Sequence, residues 1–275
     1  MSVKTYQKYL NKVKTSAPLI VCLTNSVTVN DCANALLAIG ASPIMSEDPS
    51  DVEALVKKAQ ALVINIGTIN DWSEKTMLAA IKAAEPIGLP MVLDPVGAGA
   101  SPRRLLASKE FLKSARVIRG NASEILALVA DGAGGQKGVE KAAKANEEFI
   151  VEKAARLAQD HKAVVAVSGQ ADLITDGQRV IKIEGGTPLL TKLTGAGCLL
   201  TVMTAAYLGA SPKDTLRATA AAHLHLAKAG EKAQNRLDRP MSLGTFKMAL
   251  FDELALVEGS DLDGPMGAGL WRMDA

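Results

Sequence analysis

The sequence predicts an α/β fold with a mostly parallel central sheet, helices on both faces and an antiparallel hairpin at one edge. Short, continuously apolar runs alternate with longer segments of helical periodicity. Such runs are typical of parallel strands that are covered on both faces. Between Asp172 and Ile183 two extended runs instead flank an Asp-Gly pair, which is a hairpin signal. The chain therefore predicts a layered α/β architecture with crossover helices and one antiparallel edge.

The individual elements follow from the same two periodicities. Six strands are predicted at residues 18–23, 42–45, 61–66, 90–94, 115–119 and 164–167. Helices are predicted between them at residues 30–39, 49–58, 70–84 and 139–159. Gly40 ends the first of these helices, and Ser50 with Asp51 stands where the second would be capped. After the hairpin, helices are predicted at residues 199–208 and 242–256. Between them a long helix is predicted to start at Ser211-Pro212, with Ser211 as its N-cap and Pro212 as its first residue.

Length and composition predict one domain over residues 1–275, because no linker, repeat or low-complexity block divides the chain. The net charge of +2 gives no field that would favour nucleic acid or a membrane surface. Three dispersed cysteines without a CxxC pair predict a reduced, cytoplasmic protein rather than a disulfide framework or a zinc site. The polar N-terminus and the absence of a long apolar run predict neither a signal peptide nor a membrane span.

The most informative segment is Gly195-Ala196-Gly197-Cys198, which runs directly into an apolar helical pattern. Glycines permit a tight turn and close approach to a ligand, and a helix start adds unpaired N–H donors. The segment therefore predicts an anion hole for a transferring phosphoryl group. Cys198 falls in the first helical turn, where the pKa of a thiol is expected to fall. A plain helix N-terminus with a buried cysteine is the alternative.

Polar side chains stand at the ends of the predicted parallel strands, where ligands of such sheets bind. They are Asn25, Met45 with Ser46, Asn65 with Gly67, Asp94, Asn121 with Glu124, and Ser168 with Gly169. Each residue could be an ordinary turn or capping residue. Because all of them fall at one edge together with the glycine loop, the pattern favours a common site.

Magnesium is the cation that this edge would suit. Glu124, three residues after Asn121, and Asp94 could hold a hydrated Mg²⁺ ion. The alternatives are helix capping by Asn121 and Glu124, and a structural role for Asp94. Arg119 could bind nucleotide phosphates or cover the sheet end. The chain has no GxxxxGK[ST] motif and no GxGxxG after the first strand, and its histidines have no ligand-like spacing, so His223 and His225 are predicted to pack or face solvent.

Several strings together resemble the hydroxyethylthiazole kinase family of the ribokinase-like superfamily. They are Leu23-Thr24-Asn25-Ser26-Val27-Thr28, Ala41 to Ser46, Asn65 to Thr68, Leu93 to Ala98, Ile118 to Glu124, Val164 to Gly169 and Gly195 to Cys198. They follow the family's order over roughly residues 15 to 210. Cys198, where sugar kinases of the superfamily carry Asp, points to this branch. The resemblance implies a ribokinase-like three-layer sandwich.

The resemblance also implies ATP-dependent phosphorylation of 4-methyl-5-(2-hydroxyethyl)thiazole in thiamine salvage, with Mg²⁺ and a homotrimer whose thiazole pocket lies at a subunit boundary. Carried over residue by residue, the thiazole would contact Asn25, Met45, Gly67 and Gly195. The nucleotide phosphates would contact Arg119, Asn121 and Ser168, and Mg²⁺ would be held through water by Asp94 and Glu124. The amides of Gly195, Ala196, Gly197 and Cys198 would stabilise the moving phosphoryl group, and Cys198 would occupy the position of the base.

Three other readings stay open. The same fold could phosphorylate hydroxymethylpyrimidine or pyridoxal, although Met45 and the Thr24-Asn25-Ser26 string favour the thiazole. A hydrate-repair lyase would need an Asp in the glycine loop, and this chain has none there. A non-catalytic nucleotide-binding subunit would not need all of the polar residues at the strand ends. Ala196 departs from the Thr that the family often carries at this position of the glycine loop.

The glycine-rich segment 131–138 is a candidate lid.

Overall fold

The computed structural model describes residues 6–130, 146–263 and 269–272. Its strands form one nine-stranded sheet in the order β2-β1-β3-β4-β5-β6-β7-β8-β9 within these residues. The strands are β1 Leu19–Leu23, β2 Ser42–Met45, β3 Ala61–Asn65, β4 Met91–Asp94, β5 Val117–Asn121, β6 Val164–Ser168, β7 Ala171–Thr175, β8 Arg179–Glu184 and β9 Gly269–Arg272. The pairs from β2 to β6 are parallel, and the pairs from β6 to β9 are antiparallel.

Helices cover both faces of this sheet. They are α1 Gln7–Ser16, α2 Val29–Ala38, α3 Val52–Val56, α4 Asp71–Ala84, α5 Pro102–Phe111, α6 Ala122–Val129, α7 Glu147–His161, α8 Ala196–Ala210, α9 Thr215–Asn235, α10 Leu243–Leu256 and α11 Gly259–Leu262. Short 3₁₀ turns lie at Glu85–Ile87, Leu112–Ser114 and Pro188–Lys192. None of the described helices is long and apolar enough to cross a lipid bilayer.

The two hydrophobic cores show why the strands are continuously apolar. One core joins α1, α2 and α8 to α11 with one face of the sheet, and the other joins α3 to α7 with the opposite face. Successive strand residues alternate between the cores, as Ile20 and Val21 do in β1. Because side chains alternate across a strand, both faces must be apolar. This confirms the predicted three-layer arrangement.

The antiparallel hairpin is confirmed as β7 and β8, but β9 lies outside it and forms the edge of the described sheet. The glycine-rich tail was not predicted to contain a strand. A four-residue run without a turn signal on both sides has no distinctive sequence pattern.

Two predicted helix starts are wrong. The helix expected from Ser211-Pro212 begins at Thr215, and Tyr9 donates a hydrogen bond from its hydroxyl to the carboxylate of Asp214, the residue before the helix. The helix expected over residues 49–58 is confined to Val52–Val56. The helix predicted over residues 139–159 is observed as α7, which begins at Glu147 with Asn146 as its N-cap; residues 139–145 lie outside the described residues. The candidate lid at 131–138 also lies outside them.

Candidate active site

The carboxyl ends of the parallel strands place the predicted polar residues at one edge. Strand register sets Asn65 of β3 opposite Asp94 of β4, and Asn121 of β5 opposite Ser168 of β6. Helix α8 begins at Ala196 and passes over the same edge. Neighbouring parallel strands thus bring side chains that are tens of residues apart in sequence into contact.

Asp94 is a buried carboxylate with one satisfied and one free oxygen. Its Oδ2 accepts hydrogen bonds from Asn65 Nδ2 at 2.7 Å and from Thr201 Oγ1 at 2.7 Å. Its Oδ1 is buried and has no hydrogen-bond partner among the described residues. Burial raises the pKa of Asp94 to about 6, against the lowering effect of Arg119 and with a further increase from Glu124. A free oxygen on a buried acid is a position that a cation or its bound water would satisfy.

Cys198 is held by the side-chain amides of two strand-end residues. Asn25 Nδ2 donates to its Sγ at 3.2 Å, and Asn65 Nδ2 donates at 3.3 Å. Asn25 also receives a hydrogen bond from Thr28 Oγ1 at 3.1 Å, which fixes its orientation. Burial, followed by the negative charge of Asp94, raises the pKa of the Cys198 thiol. The expectation that the helix start lowers this pKa is wrong, because desolvation outweighs the helix dipole at this depth.

The glycine loop is built for close contact. Gly195 has a φ of +86°, and a Cβ there would collide with Thr28 Cγ2. A Cβ on Gly197 would lie 2.7 Å from Arg119 Nη1. Because only glycine leaves this space and tolerates the left-handed backbone at 195, the loop can present its N–H groups directly to a ligand.

Arg119 lies on the same side of the sheet as the glycine loop. It is buried, and its Nη2 donates to Ser168 Oγ at 2.6 Å. Its Nε has no hydrogen-bond partner within the described part of the chain. A buried guanidinium with an unused donor can bind an anion in a fixed geometry.

Glu124 combines the capping role and the position expected for a metal residue. Asn121 and Glu124 form a reciprocal capping box at the start of α6, with Asn121 Oδ1 accepting from the Glu124 N–H at 3.0 Å. The Glu124 oxygens accept from the backbone N–H groups of Gly97 at 2.9 Å and Asn121 at 2.8 Å. Each carboxylate oxygen retains acceptor capacity. The described residues contain no cluster of three or more His, Cys, Asp or Glu side chains that could hold a metal directly.

These residues surround an open cavity of about 920 Å³. One end is polar, with Asp94, Arg119, Glu124, Ser168 and the loop Gly195 to Cys198. The other end is more apolar and is lined by Gly186, Pro188, Leu190, Leu226 and Ala227. A polar end and an apolar end in one cavity would suit the phosphates and the base of a nucleotide.

The expected thiazole contacts are only partly in this cavity. Gly195 lines it, whereas Asn25, Met45 and Gly67 are not among its lining residues. Asn25 is hydrogen-bonded to Cys198, which does line the cavity. Gly67 packs so closely on Asn25 that a Cβ there would be 2.9 Å from Asn25 Cβ. Met45 is half-buried at the end of β2, next to Cys22 of β1.

Sequence reasoning missed His223, which lines the cavity from α9. Its Nδ1 lies 2.7 Å from Asp172 Oδ2, and both residues are far apart in sequence. Burial would raise the pKa of Asp172, but His223, the Gly169 amide and Arg119 hold it below its usual value. The polar residue Asp172 at the start of the hairpin could have indicated a site residue there, but the spacing of the histidines gave no indication that His223 belongs to the site.

Comparison with known proteins decides the family. The family model described as "Hydroxyethylthiazole kinase family" matches residues 10–259. The chain belongs to the hydroxyethylthiazole kinase family. A hydroxyethylthiazole kinase of Alkaliphilus metalliredigens is 40% identical over 274 residues, which cover 96% of this chain and 98% of the relative. Another, from Actinobacillus succinogenes, is 43% identical over 93% of this chain and 95% of its own.

Solved structures support the assignment to this family. The structure of the hydroxyethylthiazole kinase from Pyrococcus horikoshii OT3 has a TM-score of 0.84 and 33% identity, and covers 98% of this chain and 99% of that chain. A ribokinase-like superfamily protein from Enterococcus faecalis has a TM-score of 0.61 at 11% identity, over 92% and 90% of the two chains. The more distant match supports the ribokinase-like fold alone. The chain is therefore a kinase of the hydroxyethylthiazole kinase family with a ribokinase-like fold, as predicted.

Proposed function

We propose that the chain transfers the γ-phosphoryl group of ATP to the primary hydroxyl of 4-methyl-5-(2-hydroxyethyl)thiazole, in thiamine salvage. The observation that supports the assignment of roles is the convergence of Asp94, Arg119 and the glycine loop on one cavity. Phosphoryl transfer requires little covalent chemistry from a protein, so positioning and charge stabilisation supply most of the catalysis.

Arg119, Ser168 and Asn121 are proposed to bind the nucleotide phosphates. The hydrogen bond from Arg119 to Ser168 orients the guanidinium, and its contact with Gly197 directs it toward the glycine loop. The N–H groups of residues 195–198 and the start of α8 then stabilise the charge on the phosphoryl oxygens while the phosphoryl group is transferred.

Asp94 and Glu124 fit a hydrated Mg²⁺ ion. The unpartnered Asp94 Oδ1 and the spare acceptor capacity of Glu124 are suited to water ligands of the ion, which binds few protein carboxylates. Bound Mg²⁺ would supply positive charge to the phosphates of ATP. Arg119, within electrostatic reach of Asp94, would share that role.

The thiazole alcohol is proposed to lie against Gly195 and Cys198, with Asn25, Met45 and Gly67 shaping its side of the pocket. Asn25 and Asn65 hold the Cys198 thiol where the hydroxyl would approach. In a loose transition state the hydroxyl can keep its proton until late, so the high pKa of this thiol is compatible with turnover.

We expect Cys198→Ser to lose only part of the activity, on the order of threefold to tenfold in kcat/KM, because the serine oxygen can accept the two amide hydrogen bonds. Cys198→Asp should retain or raise the activity, since its carboxylate is a better base and is stabilised by the same two amides. Steady-state kinetics of the two variants test this. Complete loss in Cys198→Asp, in folded protein that still binds ATP, would contradict a base at this position.

A homotrimer with the thiazole pocket at a subunit boundary is also proposed. Asn25 and Met45 lie outside the lining of the cavity, and Val27, two residues after Asn25, is 66% exposed. A neighbouring subunit would cover this apolar surface and complete the pocket. Light scattering after size-exclusion chromatography should give three times the mass of one chain, and the monomeric mass would contradict the proposal.

A substrate panel tests the assigned alcohol. ADP release from MgATP should be confined to the thiazole alcohol when the pyrimidine alcohol, pyridoxal and ribose are tested in parallel. Turnover with another alcohol would keep the kinase mechanism but discard the thiazole pocket. Binding of ATP without turnover of any alcohol would favour a regulatory protein.

A further inference from the structure

His223 is a buried histidine with one ring nitrogen committed and one free. Its side chain is fully buried on α9, and Nδ1 is engaged by Asp172 Oδ2 at 2.7 Å. Its Nε2 has no hydrogen-bond partner in the part of the chain that the structure describes. An unpaired buried polar group carries an energetic cost, so its presence calls for an explanation such as a ligand.

The neighbouring histidine on the same helix provides a contrast. His225 has both ring nitrogens engaged, Nδ1 by Tyr207 Oη at 2.7 Å and Nε2 by the Leu254 carbonyl at 2.9 Å. It does not line the cavity, whereas His223 does. The free nitrogen is therefore found on the histidine that meets the cavity, and not on the one that packs in the core.

His223 is linked through its neighbours to both ends of the cavity. Ala227, four residues later on α9, is one helical turn away and meets the apolar end, where Gly186 packs beside it. Asp172, bound to His223, also accepts from the Gly169 N–H at 3.0 Å and lies within electrostatic reach of Arg119 at the polar end. A nucleotide whose base lies at the apolar end and whose phosphates lie at the polar end would place its ribose beside His223.

We infer that His223, oriented by Asp172, binds a ribose hydroxyl of the nucleotide and so selects ribonucleotides as phosphoryl donors. The inference rests on the proposed use of ATP. Asp172 fixes the ring by engaging Nδ1 and leaves Nε2 for the ligand. A hydroxyl suits this nitrogen because it can donate to a neutral imidazole and accept from a protonated one.

The test compares nucleotides that differ by one hydroxyl. Calorimetric titrations of the full chain with MgATP, Mg-2′-deoxyATP and Mg-3′-deoxyATP should give a Kd about tenfold higher for the analogue that lacks the contacted hydroxyl. In His223→Asn, whose amide nitrogen can still donate to Asp172 but lacks an atom in place of Nε2, ATP should bind as weakly as that analogue. The discrimination should then fall below twofold.

A second variant separates a direct contact from a packing effect. His223→Gln places an amide near the position of Nε2 and should restore most of the discrimination. In His223→Asn, KM for ATP should rise about tenfold while kcat at saturating ATP stays nearly unchanged, because the contact is remote from the transferred group; in His223→Gln, both constants should stay close to those of the parent protein.

Failure of the inference is distinguishable from failure of the proposed function. Binding of both deoxynucleotides within twofold of ATP, or full discrimination in His223→Asn, would overturn the ribose contact while leaving ATP binding and thiazole turnover intact. A wild-type chain that binds no ATP would overturn the proposed function itself. If His223→Asn does not fold, the wild-type series can still overturn the inference, and His223→Ala then takes the place of His223→Asn as the variant that should lose the discrimination.

Discussion

Asp94→Asn should be nearly inactive and yet more stable than the parent protein at neutral pH. The loss of the negative charge removes a ligand of the magnesium water shell, and we expect kcat/KM to fall roughly a hundredfold to a thousandfold. The asparagine can keep both hydrogen bonds of Oδ2, because its oxygen can accept from Asn65 and Thr201. Only the charge and the free oxygen are lost.

The stability gain follows from the raised pKa of Asp94, which burial brings to about 6 in the folded protein. An acid whose pKa is raised by folding favours the folded state at low pH, and this contribution is lost as pH rises through the folded pKa. Above pH 6 the metal-free parent therefore carries an ionisation cost of about 3 kcal/mol, which Asp94→Asn removes. The gain should shrink between pH 6 and pH 4.

Denaturant unfolding in EDTA at pH 4 and pH 8, together with kinetics at pH 8, measures both effects. Asp31→Asn is the control, because it removes a carboxylate of α2 that pairs with Lys247 at 2.7 Å and does not line the cavity. It should keep the activity and gain no stability at pH 8. An active Asp94→Asn protein would contradict the assigned role, and a destabilised one at pH 8 would contradict the buried charge.

Gly195→Ala should lower kcat/KM by about a hundredfold, comparable to the loss of a preorganised donor in an anion hole. The new Cβ collides with Thr28, and the alanine backbone would have to adopt a φ of +86°. The loop has to move to relieve both, and its N–H groups then leave the path of the phosphoryl group. The same strain should cost about 2–4 kcal/mol of stability.

Gly88→Ala is the matched control for this substitution. Gly88 also has a positive φ, +63°, but a Cβ there meets no described atom within 4 Å. It should lose about 1 kcal/mol from backbone strain and keep its activity. Kinetics and thermal unfolding of the pair distinguish the effects. A Gly195→Ala enzyme that matches Gly88→Ala in both measurements would show that the loop geometry is dispensable.

Much of the fold could be predicted because strand burial leaves a strong pattern. Consecutive strand residues such as Ile20 and Val21, or Leu62 and Val63, lie on opposite faces of the sheet and are all apolar. The Asp-Gly turn marks the hairpin. Helix ends were less predictable, because they depend on distant partners. Asp214, for example, is engaged by Tyr9 from the other end of the sequence.

The candidate site was predicted in outline, since strand ends of a parallel sheet share one edge whatever their separation in sequence. The pKa shifts within the site could not be predicted from the sequence. The depth of Cys198 and the nearness of Asp94 set the direction of the thiol pKa, and neither is visible in the glycine loop alone. The pairing of His223 with Asp172 likewise depends on α9 packing against β7.

The most direct measurement is ³¹P NMR of the products formed from MgATP and the thiazole alcohol, with 5-ethyl-4-methylthiazole, which lacks the hydroxyl, as the matched compound. We predict one new phosphate monoester for each ADP formed from the alcohol, and no monoester from the ethyl compound. Release of inorganic phosphate from the alcohol reaction without a monoester would contradict phosphoryl transfer to the hydroxyl.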